Sequence, residues 1–146
     1  MGSVFLAVHI IGASLGQVLA LAACVVALLY LWQRYRLKHK NFNVLSSRIP
    51  ALDQLEKILL SCLWLGFIFI SLALASGVYY FFRQGEYSSP AVEKFIWAST
   101  VWLWYLATLL MKSVYAQPSR RIAQMSLVGF VLLGAAVFGL LFMFIR

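Results

Sequence analysis

The chain of 146 residues is 64% hydrophobic and only 11% charged, and a water-soluble domain of this size could not bury so large an apolar surface. Its formal net charge is +8, but the basic residues lie in short segments between apolar runs and form no continuous polar face, which argues against nucleic acid as a partner. The composition predicts one all-α membrane domain over residues 1–146, without room for a soluble catalytic domain.

Four apolar stretches are long enough to cross a bilayer, since a crossing helix needs about 20 residues. The predicted helices cover residues 4–32, 51–82, 90–111 and 118–145. The second stretch has the strongest pattern, because no charged side chain occurs between Ile58 and Arg83. The fold class that follows is a polytopic membrane protein with four transmembrane helices.

The first predicted helix carries a face of small residues. Gly12 and Gly16 form a small-xxx-small pair, and Ala20 continues the same face. Small residues let a neighbouring backbone approach closely, so we expect this face, and Gly77 of the second helix, to pack against protein and not lipid. Gln17 lies near the middle of the membrane, where a polar side chain normally finds an interhelical partner.

Basic residues predict the orientation, because loops rich in Lys and Arg stay on the cytoplasmic side. One side of the predicted topology has nine of them, namely Arg34, Arg36, Lys38, Lys40, Arg48, Lys57, Lys112, Arg120 and Arg121. The other side has three, Arg83, Lys94 and Arg146. Both termini are therefore expected outside (N-out/C-out), in a plasma membrane of the bacterial inner-membrane type.

The sequence has no pattern of catalytic or metal-binding residues. Cys24 and Cys62 fall inside predicted membrane helices, where they are expected to be small apolar fillers and not a disulfide or a metal pair. The carboxylates lie outside the crossings and lack the spacing of a metal cage or a proton relay; they are Asp53, Glu56, Glu86 and Glu93. We therefore expect neither an enzyme nor a metal site built from this chain.

Three long stretches carry a family pattern: VHIIGASLGQVLALAACVVALLYLWQRYRLKHK, SRIPALDQLEKILLSCLWLGFIFISLALASGVYY and KFIWASTVWLWYLATLL. The first contains an intramembrane His9 and ends in LYL and a basic run, and the second begins with Pro-x-Leu-(Asp/Glu)-x-Leu-Glu. In the third, Lys94 precedes Trp102 by eight residues, and a Gly129–Phe130 pair follows. In this order they resemble the C-terminal part of the cytochrome c assembly family of membrane proteins, of the CcsA, HemX and YpjD type.

The resemblance implies which residues would contact haem. His9 matches an outward-side histidine that haem-handling members direct toward haem. The tryptophan-rich WGxxWxWDxKE segment of those members is replaced here by EYSSPAVEK, which keeps only Lys94. Leu110 stands in the place of a further histidine, and the C-terminal GLLFMFIR has no outer histidine. Most of the family's haem motifs are thus absent.

The candidate site residues each have two interpretations. His9 is either a haem ligand, with Met143 of the same leaflet as a second ligand, or an interhelical hydrogen-bonding residue. His39 cannot share one iron with His9, because 30 residues of continuous helix separate them by about 45 Å. One aromatic group either lines a flat cofactor or packs the core and anchors the interface; it comprises Trp97, Trp102, Trp104 and Tyr105.

The sequence thus predicts a non-catalytic membrane subunit or assembly factor of the cytochrome c assembly type, which acts as a helical scaffold in a larger complex. Its expected partners are other integral membrane proteins and lipid, and no cofactor is expected. The alternative is a haem-handling cytochrome c biogenesis protein that binds haem b through His9 together with a partner chain.

Cysteine labelling tests the predicted orientation. Asn43→Cys and Gln117→Cys should be protected from an impermeant reagent added outside, whereas Ser88→Cys should react, because the charge bias keeps the first two positions in the cytoplasm. A background with Cys24→Ala and Cys62→Ala is the unlabelled control. Reaction of Asn43→Cys from outside would reverse the topology.

Overall fold

The structure of the chain is a computed structural model. It describes the backbone of residues 2–39, 51–84 and 89–145, and the side chains of residues 4–39, 51–83, 92–139 and 142. The labelling positions Asn43 and Ser88 lie outside the described residues, as does the side chain of Met143.

The described chain forms four helices, α1 (Gly2–Lys38), α2 (Leu52–Gln84), α3 (Ser89–Ser113) and α4 (Ser119–Ile145), and contains no strand. Each helix is long and apolar enough to span a membrane. The predicted all-α fold with four membrane-crossing helices is confirmed, and the N-out/C-out orientation stays a prediction.

Helix α1 continues past its predicted end at Trp32 and stops at Lys38. The added residues contain no glycine or proline, and Arg, Leu and Lys are strong helix formers. Cations in the last turn also interact favourably with the negative end of the helix dipole. With about 1.5 Å per residue, α1 is about 55 Å long, so it is tilted or projects beyond a hydrocarbon core of about 30 Å.

The helices are arranged in a ring, in which α1 and α3 each pack against α2 and α4. Residues from the starts of α1 and α3 and the ends of α2 and α4 surround one cavity, and we call this the cavity end. At the opposite end Glu56 of α2, Lys112 of α3 and Ser119 of α4 meet. We call this the basic end.

The tightly packed core lies toward the basic end. Its buried side chains form one contiguous apolar cluster, made of Ala20, Ala23, Ala27, Tyr30, Leu55, Leu59, Leu63, Val101, Tyr105, Leu109, Ile122 and Ala123. Lys112 adds a polar tie there, because its Nζ donates to Glu56 Oε1 (2.5 Å) and to Ser119 Oγ (3.1 Å). Three helices are thereby joined at the basic end.

The small-residue face of α1 lies against α2. A Cβ atom on Gly12 would be 3.2 Å from the carbonyl oxygen of Phe69, and one on Gly16 would be 2.8 Å from Cγ1 of Ile70. Ala20 continues this face into the buried core. The neighbour of the small residues is therefore a helix of the same chain.

Gly16→Leu tests this close approach. The leucine side chain would collide with Ile70, so we expect the bundle to lose about 1–3 kcal/mol of stability through overpacking. Gly139→Leu on α4 is the matched control, because a Cβ atom at Gly139 meets nothing within 4 Å; its expected effect is below about 0.5 kcal/mol. Unfolding in mixed micelles measures both, and equal losses would contradict the α1–α2 packing.

Candidate functional site

All four helices line a cavity of about 530 Å³ at the cavity end. This volume is within the range of about 300–1,000 Å³ that small-molecule and cofactor sites occupy. Small residues on every helix leave the space open, namely Ala13, Ala73, Gly77, Ala98 and Ala136. The walls also carry aromatic rings, from Phe5, Phe81, Phe95 and Trp97. The cavity therefore has the size and the apolar lining of a site for a small hydrophobic molecule.

His9 lies on the wall that α2 provides. Its Nδ1 is 2.8 Å from the carbonyl oxygen of Ala73, and because a carbonyl oxygen can only accept, this ring nitrogen carries the proton. Ser76 Oγ is 3.4 Å from the same nitrogen. In the neutral ring the lone pair is then on Nε2, which has no hydrogen bond among the described residues.

Gly77 leaves the space that the His9 ring occupies. A Cβ atom at Gly77 would lie 3.2 Å from Cε1 and 3.4 Å from Nδ1 of the imidazole. Next to this contact the rings of Phe5 and Tyr79 stack with centroids 4.5 Å apart. The candidate ligand His9 and the candidate packing residue Gly77 thus form one arrangement between α1 and α2.

Two further polar side chains line the cavity. Lys94 of α3 and Gln17 of α1 are both exposed. Gln17 makes no hydrogen bond within the described part of the chain, so its expected interhelical partner does not come from those residues. The described lining contains an ammonium group and no carboxylate, and an anionic group on a ligand would be favoured there.

The candidate aromatic group is divided between two roles. Trp97 lines the cavity. Trp102 Nε1 instead donates to Ser71 Oγ at 2.8 Å, and Trp104 Nε1 donates to the carbonyl of Met125 at 2.9 Å. These two indoles tie α3 to its neighbours, while the remaining member, the tyrosine, belongs to the buried core.

The other candidate residues, His39, Cys24 and Cys62, are not among the described residues that line the cavity. His39 follows the last residue of α1 at the basic end, where its ring lies 4.4 Å from that of Tyr35. Cys24 and Cys62 are free thiols. Among the described residues no three His, Cys, Asp or Glu side chains are grouped to hold a metal ion.

The contacts that orient His9 were missed from the sequence, although Gly77 was predicted as a packing residue. The carbonyl of Ala73 has no sequence signal, since every residue has one. Ser76 and Gly77 had a weak signal, because a Ser-Gly pair interrupts an otherwise apolar crossing. Such a pair places a hydroxyl group next to a position without a side chain. The sequence does not tell which residue of a neighbouring helix contacts the two positions.

The chain matches a family model described as "Cytochrome C assembly protein" over residues 2–145. Comparisons with curated proteins and with solved structures gave no match. The family match spans all four helices.

Gly77→Val tests whether the missing side chain at Gly77 lets the His9 ring occupy its position. The added methyl groups would occupy the position of the imidazole, so the ring should move and its bond to Ala73 should be lost. Nitrogen-15 NMR of histidine-labelled protein reads the tautomer directly, and only His9 and His39 contribute. Gly134→Val is the control, because nothing lies within 4 Å of a Cβ atom there. An unchanged His9 tautomer in Gly77→Val would contradict this geometry.

Proposed function

The chain belongs to the cytochrome c assembly protein family, and we propose that it is a non-enzymatic membrane component of cytochrome c biogenesis that binds haem through His9. The observation that supports this proposal is the hydrogen bonding of the two nitrogen atoms of the His9 ring. Its Nδ1 is held by the carbonyl of Ala73, and its Nε2, which has no partner among the described residues, belongs to a residue that lines an apolar cavity.

The residues of the cavity fit haem b. Haem iron needs an axial ligand, and a ligating histidine almost always donates its other ring N–H to a carbonyl or a carboxylate, which orients the ring. His9 has this arrangement with Ala73. Apolar and aromatic walls suit the flat macrocycle, and the ammonium of Lys94 suits its carboxylates. Bound haem would supply the iron, and this chain would supply one ligand and the apolar surface.

A partner chain is part of the proposal. The other histidine is at the opposite end of α1, and Met143 is the remaining candidate ligand that the sequence offers near the cavity end. The Gln17 amide lines the cavity and has no hydrogen-bond partner in the described part of the chain, and such a group in the membrane favours a hydrogen-bonding neighbour. We infer that a second integral membrane protein covers this side and completes the iron coordination.

The location of the site depends on the orientation. The charge bias predicts that the basic end is cytoplasmic, and the cavity end then faces the outside of a bacterial-type plasma membrane. Haem would be held in the outer leaflet, with Lys94 near the outer headgroups and the aromatic rings within the hydrocarbon region.

A non-catalytic scaffold that binds no haem is the competing function. The small residues of α1 favoured it, because they were expected to meet another protein. Gly12 and Gly16 lie against α2 of the same chain, so they no longer favour an external partner. The missing tryptophan-rich segment is the feature that still supports a scaffold.

An absorption spectrum separates the two functions. Protein purified with its native partners should show a Soret band that tracks this chain, that is lost in His9→Ala and that persists in His39→Ala, because His39 is at the other end of α1. A His9→Gln variant keeps the size and a hydrogen-bonding group and should also lose the band. A haem spectrum that is unchanged in His9→Ala would contradict haem binding and support the scaffold.

A further inference from the structure

The basic end holds cations that no acid neutralises. The chain has four acidic residues, and of those that the structure describes, Asp53 and Glu56 belong to this end. Asp53 pairs with Lys57 at 2.8 Å, and Glu56 pairs with Lys112 at 2.5 Å. Each described carboxylate of this end is therefore already engaged by a lysine.

The remaining described cations of this end are on two neighbouring helices. We call them the cationic seam; they are Arg34, Arg36 and Lys38 in the last turns of α1 and Arg120 and Arg121 in the first turn of α4. These two helices pack against each other, and Tyr30 of α1 and Ile122 and Ala123 of α4 belong to the same buried cluster near the cations. None of the five side chains forms a salt bridge within the described residues.

Aromatic side chains hold part of the seam at a defined depth. The guanidinium of Arg36 lies over the ring of Trp32, 4.5 Å from its centroid, and Arg34 Nη1 is 3.5 Å from the hydroxyl of Tyr30. Trp32 and Tyr35 are exposed at 43% and 64%. Exposed Trp and Tyr at the end of a membrane helix lie at the level of the lipid headgroups, so the cations lie at the level of lipid phosphates.

We propose that the cationic seam binds the phosphate groups of anionic phospholipids. Guanidinium groups donate to phosphate oxygens in a matching planar fork, and the backbone N–H groups at the start of α4 favour an anion at the same place. Both features require a partner of negative charge, and phospholipids are the anions present at this depth. The proposal is independent of haem binding, because the cavity lies at the other end.

Lipid enrichment tests the proposal. The full chain is reconstituted in nanodiscs of phosphatidylglycerol and phosphatidylcholine, and native mass spectrometry counts the lipids that stay bound. We expect enrichment of phosphatidylglycerol, reduced by about fivefold in Arg34→Gln or Arg120→Gln. Arg83→Gln is the control, because it removes the same charge from the cavity end and should leave the enrichment unchanged.

Two further measurements of lipid enrichment use the unsubstituted protein. High salt should abolish the enrichment, since screening weakens exposed charge pairs, and added inorganic phosphate should not displace the lipid. Displacement by phosphate would assign the seam to a free anion and overturn the proposal. Enrichment that survives high salt, or that falls equally in Arg83→Gln, would also overturn it.

Discussion

The close approach of α1 to α2 is the contact on which the structure depends. Within a bilayer the hydrophobic effect does not drive helices together, so close packing and interhelical hydrogen bonds become the main sources of association. Gly12 lies against the backbone of α2 at Phe69, and farther toward the cavity end Gly77 lies against the ring of His9. The same interface that holds the bundle together also positions the candidate ligand.

The two ends of the bundle are packed differently. Toward the basic end the interior is filled by alanine, leucine and tyrosine side chains, and Lys112 joins three helices by polar contacts. Toward the cavity end small residues leave a space of about 530 Å³ between the helices. The cavity does not disrupt the fold, because each helix satisfies its own backbone hydrogen bonds. The packed basic end can therefore hold the helices together while they stay apart at the cavity end.

Polar groups in an apolar surrounding are costly unless they are paired, and this decides which of them suggest a ligand. Trp102 and Trp104 each use the indole N–H within the bundle, so both are explained by packing. Packing explains only one nitrogen of the His9 ring, because Nδ1 is hydrogen-bonded and Nε2 has no partner among the residues that the structure describes. This Nε2 atom belongs to a residue that lines the cavity. For that reason we favour the haem proposal over a scaffold.

Hydropathy alone determined that the chain has four membrane-crossing helices, because the cost of charge in hydrocarbon acts on each segment separately. The order of short motifs likewise determined the family. The end of α1 was less predictable, since hydropathy reports where lipid ends, whereas Arg and Lys can continue a helix into the headgroups. Which small face meets which helix, the tautomer of His9 and the different roles of Trp97 and Trp102 were decided by tertiary structure. These depend on the rotation of each helix about its axis, and one residue changes that direction by about 100°.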